Sequence, residues 1–338
     1  MRRRAHRGWA TVVTGYVVLA LVGAQPAWAG GAPLGHPFRP DSLLGQWAVA
    51  FQKVLMERKT GVDVYVESST WGSSRQLFEM VQYGKLDVAI VSLSAIPVPE
   101  VQVLSLPALV TDRAMAAEIR RSSDFRERME RRLMEPPLGR RDAHLVPLGV
   151  VWRFARIVSV GSPVVDPAQL KGMRIGAWKD EPFLVQSGAQ PVHVDGPDIG
   201  GFLRKGAIQA VVAYPESWLR LGREEITGYA TGVRDGGLLT DVYVMLAGER
   251  FRSTYRQQWD AVVAAGRQAA EHFEELDRSY ERDAETALAK YSLRMQVLSP
   301  EQLADWRRHA ERVAWRSTGT HDSSLLDLLI RLTRRVAR

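Results

Sequence analysis

Residues 62–93 read VDVYVESSTWGSSRQLFEMVQYGKLDVAIVSL, and three local patterns follow one another inside them. VDVYVES alternates with period two from Val62, which predicts a strand. Ser73 and Gln76 stand three apart before Leu77, Phe78, Met80 and Val81, the signature of a capping box opening an amphipathic helix that Gly84 closes. LDVAIVSL is then a continuous apolar run, the mark of a parallel strand covered on both faces. Strand, helix and buried strand in this order make a βαβ unit, so the fold class is α/β.

Upstream, Asp41-Ser42 caps a helix with Leu43, Leu44, Trp47, Phe51, Val54 and Leu55 on one stripe, ended by Thr60-Gly61. Downstream of residue 150 the pattern resumes. WRFARIVSV, MRIGAW, QPVHV and IQAVVAY read as strands, with short helices starting near Asp166, Asp180 and Asp198. A third zone differs. Phe251 to Ser299 holds no proline and only Gly266, with Trp259, Val262, Val263, Phe273, Leu276 and Tyr280 at helical spacing. One very long helix, or two nearly collinear ones, is predicted there. Ser299-Pro300-Glu301-Gln302 opens another helix by a capping box with proline at N1.

The first 29 residues read as a leader. Arg2, Arg3, Arg4 and Arg7 precede an apolar stretch of 14 residues, Trp9 to Val22, and Ala27-Trp28-Ala29 is a small-residue cleavage pattern. That stretch falls short of the roughly 20 residues a spanning helix needs, and no later stretch reaches it. The expectation is an exported chain, cleaved near Ala29 and not membrane-spanning once mature. The formal net charge is +7, and the leader holds four arginines and no acid, which leaves +3. So mild a charge on an exported chain argues against nucleic acid and suits a small acidic solute. The absence of cysteine excludes a disulfide framework, thiol chemistry and a lipoprotein anchor.

Six blocks then stand in a telling order: ERKTGVDVYVES, WGSSRQLFEMVQYGKLDVAIVS, VLSLPALVTD, DPAQLKGMRI, SGAQPVHV and KGAIQAVVAYPESW. Together they resemble the solute-binding subunit of tripartite ATP-independent periplasmic (TRAP) transporters, the DctP-like type, in register from about Gly35 to Trp315. The resemblance implies a two-lobed periplasmic-binding-protein fold with hinge strands and a long helix spanning both lobes. The division expected is residues 1–29 as leader, 30–152 plus about 239–275 as lobe one, and 153–238 plus about 276–338 as lobe two. It also implies capture of a small solute, usually an organic acid, and delivery to TRAP membrane permease subunits in the periplasm. No cofactor or metal is implied.

The resemblance also marks departures. In the family, the strand after LKG carries an arginine that pairs with the solute carboxylate, and here that position is Gly176. The family's second arginine, on the preceding strand, maps to Arg156. The polar run expected at the start of the last block becomes Ala207-Ile208-Gln209-Ala210-Val211-Val212-Ala213, and the first strand reads as a shortened GAPLGHPF broken by prolines. The expected site is therefore Arg156 for an anionic group, with a bare backbone at Gly176 beside the aromatic plate of Trp178. Trp71 stands before the Gly72 turn, and Ser92, Ser94 and Tyr214 follow buried strands, where ligands gather. Such a site suits an acid that is aromatic or less charged than usual. Two other readings keep the fold: a periplasmic sensor, or a degenerate subunit that only binds partners. An exported enzyme is the remaining alternative, and the chain offers no G-x-S-x-G, H-E-x-x-H or Walker motif for it.

Overall fold

The computed structural model describes residues 31–68, 72–134, 144–177, 181–194, 196–315 and 324–336. In chain order, β1 (Ala32–His36), α1 (Leu43–Glu57), β2 (Val64–Ser68), α2 (Ser74–Gln82) and β3 (Val88–Ser92) come first. Two helices, α3 (Arg113–Arg121) and α4 (Ser123–Met134), lead to the 15-residue strand β4 (Val146–Val160). Next are β5 (Arg174–Ala177), α5 (Pro182–Gln186), β6 (Gln190–His193), α6 (Ile199–Arg204), β7 (Ala210–Ala213), α7 (Pro215–Arg223) and β8 (Gly228–Gly232). The chain then returns through β9 (Leu239–Ala247), α8 (Glu249–Thr254), α9 (Trp259–Leu288), β10 (Leu293–Val297), α10 (Pro300–Ala310) and α11 (Ser324–Val336).

The sheet order is β2-β1-β3-β9-β4-β7-β5-β6, with β8 between β4 and β10. β4 serves two neighbourhoods. Its residues 146–155 pair with β9, while 156–160 pair with β7 and β8. The first half belongs to a lobe whose two faces are filled by separate apolar clusters, one around Phe78, Phe125 and Trp152, the other around Trp47, Phe51 and Phe273. The second half belongs to a lobe packed around Trp306 on one face and Trp218 on the other.

The 30-residue helix α9 joins both lobes from behind. Val262, Ala265, Ala269, Ala270 and Phe273 bury in the first lobe, and Ala284 and Leu288 in the second. Between them the buried positions are Glu274, Asp277 and Glu281. An apolar stripe broken by three buried acids is the central feature of the molecule.

Local chemistry explains many boundaries. Ser73 and Gln76 form the predicted capping box, as do Ser299 and Gln302. Asp166 and Gln169 make a third, but Pro167–Leu170 is only a 3-10 turn. The helix expected near Asp180 begins at Pro182, and the one near Asp198 at Ile199.

Four expectations are corrected. GAPLGHPF is not a broken strand, because Ala32–His36 is wholly buried and pairs with both β2 and β3. Ala32 N donates to Asp63 O, so the alternating amides put the missing donor of Pro33 on the other side, where pairing with β3 starts only at Leu34. The long helix predicted within Phe251–Ser299 is present as α9, but the segment is not helical throughout. It holds the end of α8, a 3-10 turn, α9 and the strand β10, which pairs with β8 without any glycine or proline to announce it. The strand predicted from Trp152 starts six residues earlier, at Val146. Finally, α11 does not stay with the second lobe. Leu325, Leu328, Leu329 and Leu332 pack with Met115, Ile119, Phe125 and Met129 of the first.

Candidate functional site

The carboxyl ends of β3, from one lobe, and β7, from the other, approach each other along the paired strands β4 and β9. In the register of β3 with β9, Ser92 lies opposite Tyr243, and in that of β4 with β9, Arg153 lies opposite Asp241. Phe38, just past β1, sets its ring edge to face against Tyr243 at 5.4 Å between centroids. Tyr214, just past β7, donates its hydroxyl to Asp241 Oδ2. The Arg153 guanidinium lies 4.2 Å from the centre of the Tyr214 ring, close enough for a cation–π contact. Its Nη2 donates to both carboxylate oxygens of Glu216, at 2.8 and 3.0 Å.

This cluster draws on both lobes and combines one guanidinium, two phenols, two carboxylates and a phenyl ring. Burial pushes both phenols up, and the Asp241 carboxylate adds to this, so Tyr214 and Tyr243 stay protonated far above neutrality. Burial opposes the charge on Arg153. The Glu216 and Asp277 carboxylates outweigh it and keep the guanidinium firmly cationic.

Behind the cluster lies a second layer of charge. Arg113 of α3 donates to Asp277 and Glu281 of α9. Arg156 of β4 donates through Nη2 to Glu281 Oε1 at 2.6 Å and Glu285 Oε1 at 3.2 Å, with its guanidinium 4.9 Å from the Trp218 ring. Asp277, Glu281 and Glu285 are spaced four apart, which puts all three on one face of the helix. Glu281 therefore links an arginine of the first lobe to one of the shared strand.

Residues 34–318 match the DctP family, described as bacterial extracellular solute-binding protein, family 7. The chain belongs to this family. The DctP family is one of binding proteins for transport, not of enzymes. A curated relative, a solute-binding protein of Albidiferax ferrireducens, is 25% identical over 308 residues, covering 89% of this chain and 87% of its own. Among solved structures, a TRAP periplasmic solute binding protein from Rhodoferax ferrireducens with bound malonate superposes at a TM-score of 0.70. It is 20% identical, over 90% of this chain and 98% of that one. An apo, open TRAP periplasmic solute binding protein from Rhodobacter sphaeroides reaches 0.75 at 17% identity, over 90% and 99%. The two-lobed fold is thus the one the sequence implied. Among the described residues no helix is long and apolar enough to cross a membrane.

The predicted site residues of this DctP-family chain fall into four groups. Tyr214 lies in the cluster, and Ser92 and Ser94 border it, their hydroxyls 2.9 Å apart and the Ser92 amide donating to Ser74 Oγ. Arg156 is 1% exposed and engaged by two carboxylates. Its aliphatic stem fills the space over Gly232, where an added Cβ would come within 2.7 Å of Arg156 Cγ. Gly176 differs from the expected bare backbone. A Cβ there would meet Val194 Cγ2 at 2.8 Å, Ile208 Cδ1 at 2.9 Å and Val211 Cγ2 at 3.3 Å, so the glycine accommodates tight apolar packing. Trp71 and Trp178 lie outside the described residues.

Sequence reading missed Arg153, Glu216, Asp241, Tyr243 and Phe38. Arg153 and Asp241 carried a usable signal, each a charged residue inside a largely apolar strand. A separate groove of about 720 Å³ opens between α4, the start of β4 and α9, floored by Phe125, Met129 and Val263. It shares no residue with the cluster.

His36, at the end of β1, is fully buried, and burial lowers its pKa below the ordinary 6.5. A lowered folded pKa means the unfolded chain binds more protons, so stability rises with pH through this range. The stabilisation is complete above about pH 6.5 and is lost as pH falls through the depressed value. Melting temperatures measured from pH 7.5 to 5 are expected to fall, and His36→Asn to flatten the dependence. An equal slope in the variant would assign the effect elsewhere.

Proposed function

We propose that this protein captures a small solute in the cleft between its lobes and delivers it to a TRAP-type membrane permease. The solute is an organic acid with a flat or aromatic body and less charge than a typical family ligand. The observation that supports this is the Arg153–Tyr214 stack, with Tyr243 and Phe38 beside it, at the strand ends of both lobes. One guanidinium on aromatic walls fits one carboxylate on an apolar body. The second strand arginine, Arg156, is already neutralised by Glu281 and Glu285, and Gly176 brings no cation. The malonate held by the Rhodoferax ferrireducens relative is consistent with acids as the solute class. The leader read in the sequence, with cleavage expected near Ala29, and membership of a family of extracellular binding proteins support capture in the periplasm.

The test is a thermal-shift panel of aromatic monocarboxylates, aliphatic mono- and dicarboxylates and neutral solutes. At 100 times its Kd a ligand stabilises by about 2.7 kcal/mol. Monocarboxylates with a ring are expected to raise the melting temperature most, and Tyr214→Ala to reduce that rise. A panel in which nothing stabilises the folded protein would sink the solute-capture reading.

A further inference from the structure

The pairing of Arg153 with Glu216 is lopsided. Both carboxylate oxygens of Glu216 lean on the single nitrogen Nη2. Arg153 Nε is buried with no hydrogen bond and lies 3.9 Å from Asp277 Oδ1, and Nη1 makes none either among the described residues. A guanidinium at the best site for a carboxylate presents two nitrogens to two oxygens in parallel. Glu216 leaves that fork half used.

The two partners also differ in how firmly they are held. The Arg153 side chain is 10% exposed and fixed between the Tyr214 ring and the sheet, whereas the Glu216 side chain is 50% exposed. Glu216 is the second residue of α7, whose N-cap, Tyr214, gives the helix no side-chain capping hydrogen bond. A carboxylate released from Arg153 therefore stays beside first-turn amides that favour negative charge. Moving Glu216 aside costs little, because a half-exposed pair is screened by solvent.

We infer that Arg153 is the receptor for the solute carboxylate and that Glu216 is a built-in competitor, displaced when the solute binds. The inference rests on the solute-capture reading and gives it a residue and a mechanism. With one fork available, the class of solute is a monocarboxylate. The competitor also sets a threshold. A carboxylate must engage both Nη1 and Nη2 to outbid Glu216, so an anion that reaches only one nitrogen gains nothing by entering. Arg156 sits three residues further along β4; its Glu285 is half exposed too, but the buried Glu281 stays on it, so the Arg153 pair is the exchangeable one.

The experiment is calorimetric titration of benzoate, hexanoate and malonate into the wild-type protein, Glu216→Gln, Glu285→Gln and Arg153→Lys. Glu216→Gln keeps the shape and removes the charge, and it is expected to lower the Kd for benzoate and hexanoate three- to tenfold. Glu285→Gln, which alters the half-exposed acid on Arg156, is expected to leave both values unchanged. Arg153→Lys keeps the charge and loses the fork, and is expected to weaken both acids more than tenfold while the variant remains folded. Acids that bind the wild type but no tighter to Glu216→Gln would overturn the competitor role and leave solute capture standing. Equal tightening by Glu285→Gln would overturn it too, since general charge would then be the cause. No binding to any of the four proteins would overturn this inference and solute capture together.

Discussion

Glu281→Gln is expected to cost the fold about 3–5 kcal/mol, because it leaves Arg113 and Arg156 buried without their shared carboxylate. Both arginines are about 2% exposed or less, and Glu281 touches each of them with one oxygen. A glutamine can accept at one oxygen only and carries no charge. For a chain of this size the loss is on the order of 10 °C in melting temperature. Glu285→Gln is the matched comparison. Its side chain is 40% exposed and water replaces what it gave Arg156, so a loss under about 1 kcal/mol is expected. Denaturant or thermal melts of the two variants side by side check the contrast. Equal, small losses would mean that Asp277 and solvent cover for Glu281.

Gly176→Arg would restore the family's arginine to its usual place in the sequence, and the expected result is loss of stability without gain of acid binding. The first side-chain carbon already meets the methyl groups of Val194 and Ile208 inside 3 Å. Crowding this packing and driving a guanidinium into it should together cost more than about 3 kcal/mol. Reduced soluble yield and a lower melting temperature are the readouts, with malonate titration as the functional one. A well-folded variant that binds malonate more tightly than the wild type would show that position 176 opens to the cleft after all.

What the sequence disclosed was chemistry that acts over a few residues. Ser73 with Gln76 and Ser299 with Gln302 lie three apart, and Ser42 caps α1 by accepting from Gly45 N. The buried run of β3 and the apolar stripe of α1 follow the same logic, since period and capping are local properties. The family resemblance then supplied the fold that ties them together. The site was less legible, because its contacts are remote in sequence. Arg153 meets Glu216 across 63 positions, and Arg113 meets Glu281 across 168. Nothing in either neighbourhood says which acid an arginine will choose. Arg156 was visible as a cation, but its neutralisation by α9 was not. Gly176 was visible as a missing arginine, yet whether its empty side faced solute or core depended on β6, β7 and the turn at Ile208. β10 escaped notice because no turn residue separates it from the helical zone.

The helix α9 is anchored in apolar contacts at both ends and held at its middle by ion pairs. A rod clamped in this manner behaves as a leaf spring. Any rotation that brings the lobes together must flex it between the clamps, where the Glu281 oxygens are tied to one arginine on each side. Ion pairs have short reach and little give compared with sliding methyl groups, so the stiffest part of the spring is the stretch around Glu281, between the two apolar clamps. The spring thus supplies a restoring force towards the geometry at which it is unflexed, and a solute holds the lobes in any other only by contacts worth more than the flexing.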